Sequence, residues 1–125
     1  MLAMAEDLVE EVIRCDDAEK LAELIAEGVV DPKRATSYGT TALMDAAEHG
    51  AEKCVKLLLP MSDAKLKDKA GWTALMSAAH AGCVGCVEAL LPVSDAKATD
   101  ALGRTALKHA QNHKHFACVK ALSAE

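Results

Sequence analysis

The sequence predicts an all-α solenoid of about four helix-turn-helix units, and three observations predict it. A unit of 32 residues occurs three times in one register, so that Gly39, Thr41, Leu43, Cys54 and Leu58 recur 32 and 64 residues later. Apolar residues follow helical spacing within each unit, and glycine or proline separates the helical stretches. A constant period of this size is typical of stacked units, each of which buries its apolar face against its neighbours.

Composition indicates one domain with a core of small side chains. The 125 residues have the length of an ordinary domain, and 51% of them are hydrophobic, which is enough for one continuous core. Only 2% are aromatic, so alanine, leucine, valine, cysteine and methionine must fill that core. Many alanines suit helices that approach one another closely. We therefore expect a single domain over residues 1–125.

The sequence predicts neither a membrane span nor a secretory signal. No apolar run approaches the roughly 18 residues that cross a bilayer. Residues 1–11 carry four acidic side chains where a signal would have a basic segment and an apolar stretch. The five cysteines are therefore expected to be reduced, as small buried side chains, in a cytoplasmic or nuclear protein.

The net charge of −5 is unevenly distributed along the chain. Residues 1–31 hold ten acidic and two basic residues, whereas residues 32–125 hold nine acidic and twelve basic residues. The chain is thus an acidic end piece followed by a mildly basic body. It lacks the strongly basic stripe of a nucleic-acid-binding protein, so no nucleic-acid partner is predicted.

The unit over residues 39–70 has recognisable helix boundaries. Thr40 or Thr41 can cap a helix that begins near Ala42, because a threonine hydroxyl accepts a hydrogen bond from an amide of the first turn. Gly50 is expected to end that helix, since it readily adopts a left-handed backbone conformation.

A second helix is expected to follow, and Val55, Leu58 and Leu59 lie on one face of it. Pro60 should stop this helix, because the residue before a proline is driven out of the α region. In the polar stretch beyond it, aspartates such as Asp68 can bind nearby backbone amides and fix a turn.

Two strings, residues 39–47 and 71–79, resemble the start of ankyrin repeats, which reads roughly G-x-T-P-L-H-x-A-A. Asp68 and Asp100 match the aspartate that precedes this glycine by three residues. The resemblance covers nearly the whole chain and implies an ankyrin-repeat solenoid whose units are joined by extended hairpin-like loops. The implied repeats are 1–35 (an acidic N-terminal cap), 36–67, 68–99 and 100–125 (a C-terminal cap).

The sequence departs from this family pattern at several places. Alanine replaces the proline, and Met44, Met76 and Lys108 replace the histidine, so the hydrogen bond between that histidine and the threonine is expected to be absent. In the last unit, Gln111 and Lys114 replace an alanine and a glycine. Both changes make the terminal face more polar, as an end cap requires.

The resemblance implies a non-catalytic module that binds a protein partner through its loop tips and concave helix face. Tyr38, Trp72 and Arg104 fall at tips, and these residue types often dominate interfaces, so they form a candidate hot spot. The alternative is that Trp72 folds back on its own hairpin and merely shields backbone. The candidate partner-binding residues are Tyr38, Thr40, Asp45, Glu48, His49, Lys69, Trp72, Ser77, His80, Leu102, Arg104, Asn112 and His113.

Basic residues cluster in or beside the connecting loops. They are either ordinary solvated side chains or a means of steering an acidic partner towards the loop side. The residues concerned are Lys33, Arg34, Lys65, Lys67, Lys69, Lys97 and Arg104.

Two places in the sequence have residues that could bind a metal ion. Cys83 and Cys86 have a spacing that suits zinc, but Cys86 belongs to the repeated core position. His109 and His113 lie four residues apart on a predicted helix and can hold a metal, although a solvated histidine face is the simpler interpretation. His49, His80 and His113 could also make the concave face sensitive to mild acid.

No catalytic motif is found, so we expect no enzyme activity and no cofactor. A monomer is expected. Three alternatives to a natural binding module stay open: an engineered or consensus-like repeat scaffold, a repeat segment of a larger scaffold or kinase protein, and, more remotely, a metal-binding protein.

Overall fold

The structure is a computed structural model that describes residues 11–34 and 39–123, and within them it contains helices and no strand. Residues 11–14 are helical. The prediction of an all-α fold is confirmed. The other α-helices are α1 (Ala18–Ala26), α2 (Ala42–Glu48), α3 (Glu52–Leu58), α4 (Ala74–Ala81), α5 (Val84–Leu90), α6 (Ala106–Asn112) and α7 (Phe116–Ser123).

The helices stack in two layers at the constant interval of the repeat. Helix α4 packs between α2 and α6, which makes one layer of first helices. Helix α3 contacts α1 and α5, and α5 contacts α7, which makes a second layer. Each first helix also packs on the second helix of its own unit. This arrangement is the predicted solenoid.

The core lies between the two layers, and its residues recur at the repeat spacing. Cys54, Cys86 and Cys118 are all fully buried, as are Leu58 and Leu90. Burial raises the pKa of the Cys54 thiol to about 12, so this sulfur stays protonated and packs as a small apolar group.

The opening unit contributes its own apolar residues to this core. Val12, Ile13, Leu21 and Leu24 are buried, whereas Ile25 is only half-buried. Helical spacing predicts that Leu8 and Val9 also line the first helix of this unit, and both lie outside the described residues.

A threonine is the N-cap of each of the three first-layer helices, α2, α4 and α6. The hydroxyl of Thr41 accepts a hydrogen bond from the amide of Met44 at 3.3 Å, so Thr41 rather than Thr40 is the cap. Thr73 and Thr105 cap α4 and α6 in the same way. A hydroxyl cap therefore fixes the start of each helix even though the family's histidine is missing.

The helix ends follow the glycine signal, whereas the proline signal is followed only in part. Gly50 and Gly82 take left-handed conformations just after α2 and α4, and Lys114 takes one at the corresponding place after α6. Helix α3 ends at Leu58, but Leu59, the residue before Pro60, stays in the α region with φ of −51° and ψ of −50°. The expectation that the proline drives this residue out of the α region is therefore wrong. The chain then continues into a 3-10 turn, Leu59–Met61, which leaves Leu59 half-buried rather than in the core face.

Between units the chain forms extended hairpin-like loops that stack on one another. Asp68 Oδ1 accepts hydrogen bonds from the amides of Ala70 and Trp72, both at 2.9 Å, as predicted for this aspartate. The amide of Ala101 in the next hairpin donates to the carbonyl of Ala70 at 3.0 Å. Backbone contacts therefore hold neighbouring hairpins in register.

One contact between units supplies a helix cap that the local sequence lacks. Ala51, at the start of α3, has no side chain that can cap the helix. Oδ1 of Asp16, from the preceding unit, accepts a hydrogen bond from the amide of Cys54 at 3.0 Å. Asp16 itself has a left-handed backbone, with φ of 54°. A charge-assisted bond thus joins the first unit to the second.

None of the helices in the described ranges is long and apolar enough to pass through a lipid bilayer.

Candidate interaction surface

The inner face, defined here as the solvent-facing side of α2, α4 and α6, carries most of the predicted helix positions. Glu48, His49, His80, Asn112 and His113 are exposed on it. They lie at corresponding places on three neighbouring helices, because residues 48, 80 and 112 are separated by one repeat each. The stacking therefore gathers them on one surface.

Two other predicted helix residues are less accessible. Asp45 is half-buried, and Ser77 is only 7% exposed. Ser77 belongs to α4, which is flanked by α2 on one side and α6 on the other. This middle position leaves little of the serine surface for a partner.

Trp72 turns from its hairpin towards the inner face. Its ring is half-buried, with its centroid 4.3 Å from that of His109 and 5.2 Å from that of His80. The indole therefore rests against α4 and α6. The ring is therefore not isolated at the hairpin tip. It also does not fold only on its own hairpin, because it contacts histidines of two helices.

The rings continue beyond Trp72 as a connected group. The rings of His80 and His113 meet edge-to-face at 4.2 Å, and those of His113 and His115 stack at 6.0 Å. Nε2–H of His115 donates to the carbonyl of His80 at 3.0 Å, near the end of α4. Four of the five histidines of the chain thus gather beside its single tryptophan. We call Trp72, His80, His109, His113 and His115 the ring cluster.

His109 departs from the expectation of a solvated histidine pair. Its side chain is 1% exposed, and Nε2–H donates to Oδ2 of Asp100 at 3.0 Å. The carboxylate can only accept, which places the imidazole proton on Nε2. His113, four residues later, remains exposed. The interpretation of the two as one solvated face is therefore wrong for His109.

Asp100 is the buried centre of this network. Burial raises its pKa, but hydrogen bonds from the amides of Arg104 and Leu102, from the Arg104 side chain and from His109 outweigh that effect and bring the pKa to about 2. Nε of Arg104 lies 2.9 Å from Oδ2. The carboxylate is thus ionised at neutral pH and holds the hairpin, Arg104 and His109 together.

The two inner histidines of the cluster favour their neutral forms. Burial of the ring lowers the pKa of His80, and the nearby His113 and His109 lower it further. Burial also lowers the pKa of His109, although its bond to Asp100 acts in the opposite direction. Both imidazoles are therefore neutral near pH 7.

The hairpin residues of the candidate surface are only partly brought together. Arg104 and Trp72 join one network, since both contact the pair formed by Asp100 and His109. Leu102 is 75% exposed and Lys69 is exposed, whereas Thr40 is half-buried. Tyr38, the third member of the proposed hot spot, lies outside the described residues.

The cysteine pair has a structural position. Cys86 is fully buried in α5, and Sγ of Cys83 accepts a hydrogen bond from its amide at 3.4 Å, which caps the helix. Across residues 11–34 and 39–123, no three histidine, cysteine or acidic side chains are placed to hold a metal ion together.

Two features of this surface are not predicted from the sequence. One is the burial of His109 against Asp100, and the other is the place of His115 in the ring cluster. A signal for the cluster does exist. Residues 80 and 113 are one repeat and one residue apart, so their side chains lie side by side near the ends of neighbouring first helices. No comparable spacing rule predicts which hairpin carboxylate reaches a helix histidine.

Comparison with known proteins gives the family. A family model described as ankyrin repeats (3 copies) matches residues 8–70 and also residues 60–125. The crystal structure of the human ASB11 ankyrin repeat domain is similar to this chain, with a TM-score of 0.81 and 25% identity. The alignment covers 93% of this chain and 52% of that domain, so this chain spans about half its length. No curated protein gives a significant match. Since the family model covers nearly the whole sequence, the chain belongs to the ankyrin repeat family, whose members are generally protein–protein interaction modules.

Proposed function

We propose that this chain is a non-catalytic module that binds a protein partner through its inner face and hairpin tips. One observation carries the proposal: the single tryptophan and three histidines lie exposed or half-buried at the surface, with a fourth histidine, His109, buried beneath them, while aliphatic side chains, methionines and cysteines fill the core. Large planar side chains that are exposed or half-exposed on a rigid scaffold are typical anchors of protein interfaces.

The Asp–His pair of this surface supports binding rather than catalysis. Asp100 and His109 are each 1% exposed at the side chain, and Trp72 and Arg104 cover them. A general base must reach the proton that it abstracts from a substrate. This pair is instead in a position to hold Trp72 and Arg104 in fixed orientations.

A comparison of variants in affinity capture tests the proposal. We expect an immobilised parent chain to retain a protein that His113→Ala and Trp72→Leu variants lose, because both changes remove exposed ring surface. Glu88→Ala, on the exposed side of the outer helix α5, is the matched control and should retain that protein. Thermal unfolding of each variant separates lost binding from lost fold. A partner retained equally by all variants would contradict the assignment of the inner face.

We also propose that the loop edge steers an acidic region of the partner. The amides of Lys33, Lys65 and Lys97 donate to aspartates two residues earlier, which fixes three equivalent turns. The three lysine side chains therefore lie one repeat apart along a single edge. Association should slow as salt rises, because at 0.1 M salt the interactions between exposed charges more than about 10 Å apart are largely screened. An association rate that is indifferent to salt would argue against steering.

A cytoplasmic or nuclear location and a monomeric state complete the proposal. Burial raises the pKa of the Cys54 and Cys118 thiols, so both remain unreactive and suit a reducing compartment. A role as one segment of a larger scaffold protein is the second candidate, and the human domain of about twice this length supports it.

A further inference from the structure

We infer that the inner face at α2, α4 and α6 receives an arginine side chain of the partner, which stacks on the rings of Trp72, His80 and His113 beside the Glu48 carboxylate. This inference rests on the proposed function and specifies the chemistry of the partner at that surface.

The spacing of the rings favours a flat cation. The His80 ring has two ring neighbours, with its centroid 5.2 Å from that of Trp72 and 4.2 Å from that of His113. Cation–π attraction acts within about 6 Å of an aromatic ring centroid and is strongest over tryptophan. A guanidinium placed over the exposed His80 ring therefore lies near the Trp72 and His113 rings as well. Arginine suits this site better than lysine, because its planar group stacks on ring faces.

The charges around His80 favour a cation over an anion. Glu48, at the end of α2, is exposed and near enough for its carboxylate to raise the pKa of His80. From α6 and the following turn, His113, His109 and His115 face the same ring. Behind His109, Asp100 and Arg104 pair with each other. Among the groups that act on the His80 pKa, Glu48 is the one carboxylate, and it acts to raise that pKa.

Protonation of the imidazoles reverses this preference. Partial desolvation and the neighbouring histidines lower the pKa of His80, so its exposed ring presents a neutral π face at pH 7. Protonation of His80 on acidification places a positive charge on that ring and removes the attraction. Binding of a cation should therefore weaken from pH 7.5 to 5.5, whereas binding of an anionic partner would strengthen.

The single tryptophan provides a direct test with defined peptides. The probes are acetyl-Gly-Arg-Gly-amide and its lysine and glutamate counterparts, titrated against the full chain at low salt while Trp72 fluorescence and amide chemical shifts are recorded. We expect saturable binding of the arginine peptide, weaker binding of the lysine peptide, and no saturation with the glutamate peptide. Amide shifts should centre on residues 48, 80 and 113.

Two exposed glutamates give a matched pair of variants. Glu48→Gln should weaken arginine-peptide binding about 2- to 5-fold, which is the range of an exposed cation–π or ion contact. Glu88→Gln, on the outer helix α5, should leave it unchanged. Equal effects of the two variants, tighter binding at pH 5.5 than at 7.5, or preference for the glutamate peptide would overturn the inference.

The peptide titration and the capture experiment can fail independently of each other. If a captured partner depends on His113 but the arginine peptide does not bind, the inner face is an interface and the arginine assignment is wrong. If the peptide binds as described while no captured protein depends on the inner face, the chemistry assigned here stands and the proposed function fails.

Discussion

At the scale of single residues, a few residues have backbone conformations or capping roles that the repeat pattern alone does not specify. Asp16 and Lys114 both have left-handed backbones, with φ of 54° and 59°, although neither is glycine. Lys114 stands where the preceding units have Gly50 and Gly82. Asp16 serves a different purpose, because its carboxylate reaches the uncapped start of α3.

The first prediction concerns this cap between units. Asp16→Ala should lower the free energy of unfolding by about 1–3 kcal/mol, because it removes a charge-assisted hydrogen bond. It also puts alanine in a left-handed backbone conformation that aspartate tolerates better. Asp16→Asn keeps an acceptor oxygen and tolerates that conformation, so it should recover more than half of the loss. Urea unfolding of both variants measures the difference. Equal losses in the two variants would show that the acceptor oxygen is not what matters.

At the scale of elements, the hairpins determine how closely the units stack. Gly71 has φ of 82°, and a β-carbon at this position would lie 2.8 Å from the amide nitrogen of Ala101 and 3.0 Å from the α-carbon of Asp100. Gly103 has a similar backbone, with φ of 77°, but nothing lies within 4 Å of the same position. The two glycines therefore share a conformational requirement and differ in the space around them.

The second prediction uses this difference. Gly103→Ala should cost about 1–2 kcal/mol for the left-handed backbone alone. Gly71→Ala should cost a further 1–3 kcal/mol, because the backbone of the next hairpin must move. Chemical denaturation of both variants isolates the stacking contribution. Equal costs would mean that the hairpins are not held in close register.

Much of the element structure could be predicted from the sequence, because its signals are local. The Thr41 cap, the Gly50 terminus and the Asp68 turn depend on atoms only a few residues apart. The cap from Asp16 could not be predicted, since it joins residues 38 positions apart across two units. The contacts of the Trp72 ring with His80 and His109 could not be predicted either, because only the stacked structure shows which surface the ring meets.

At the scale of the whole molecule, the junction of the last two units should make stability depend on pH. The folded state lowers the pKa of His80 and His109, so below about pH 6.5 the unfolded chain binds more protons than the folded one. The contribution of these two histidines to the free energy of unfolding is therefore complete above that pH and is lost as pH decreases. Asp100, with a pKa of about 2 against 3.8, adds a second loss below about pH 4.

The third prediction follows from these signs. Between pH 7 and 5.5, stability should fall by at most about 1.4 kcal/mol per pH unit for each histidine. His109→Gln retains a donor for Asp100 but cannot titrate, so it should flatten the profile in this range while leaving the loss below pH 4. Urea unfolding at several pH values provides the measurement. If the stability of His109→Gln fell as steeply between pH 7 and 5.5 as that of the parent chain, titration of His109 would not be the cause of the loss.

The candidate surface was only partly predictable from the sequence. The stacking interval places Glu48, His80 and Asn112 on one face, and this follows from the repeat alone. The buried bond between His109 and Asp100 depends instead on a side chain reaching from a hairpin to a helix. The repeat thus predicts where a partner has access, whereas side-chain packing decides which rings it meets.

The most direct test of the account is the amide NMR spectrum of the labelled chain with and without the partner obtained by capture. We predict that chemical shifts change on the inner face, at residues 48, 80, 112 and 113, and in the hairpins around residues 72 and 104. Changes confined to the outer helices α3, α5 and α7 would contradict the claim that the inner face binds the partner.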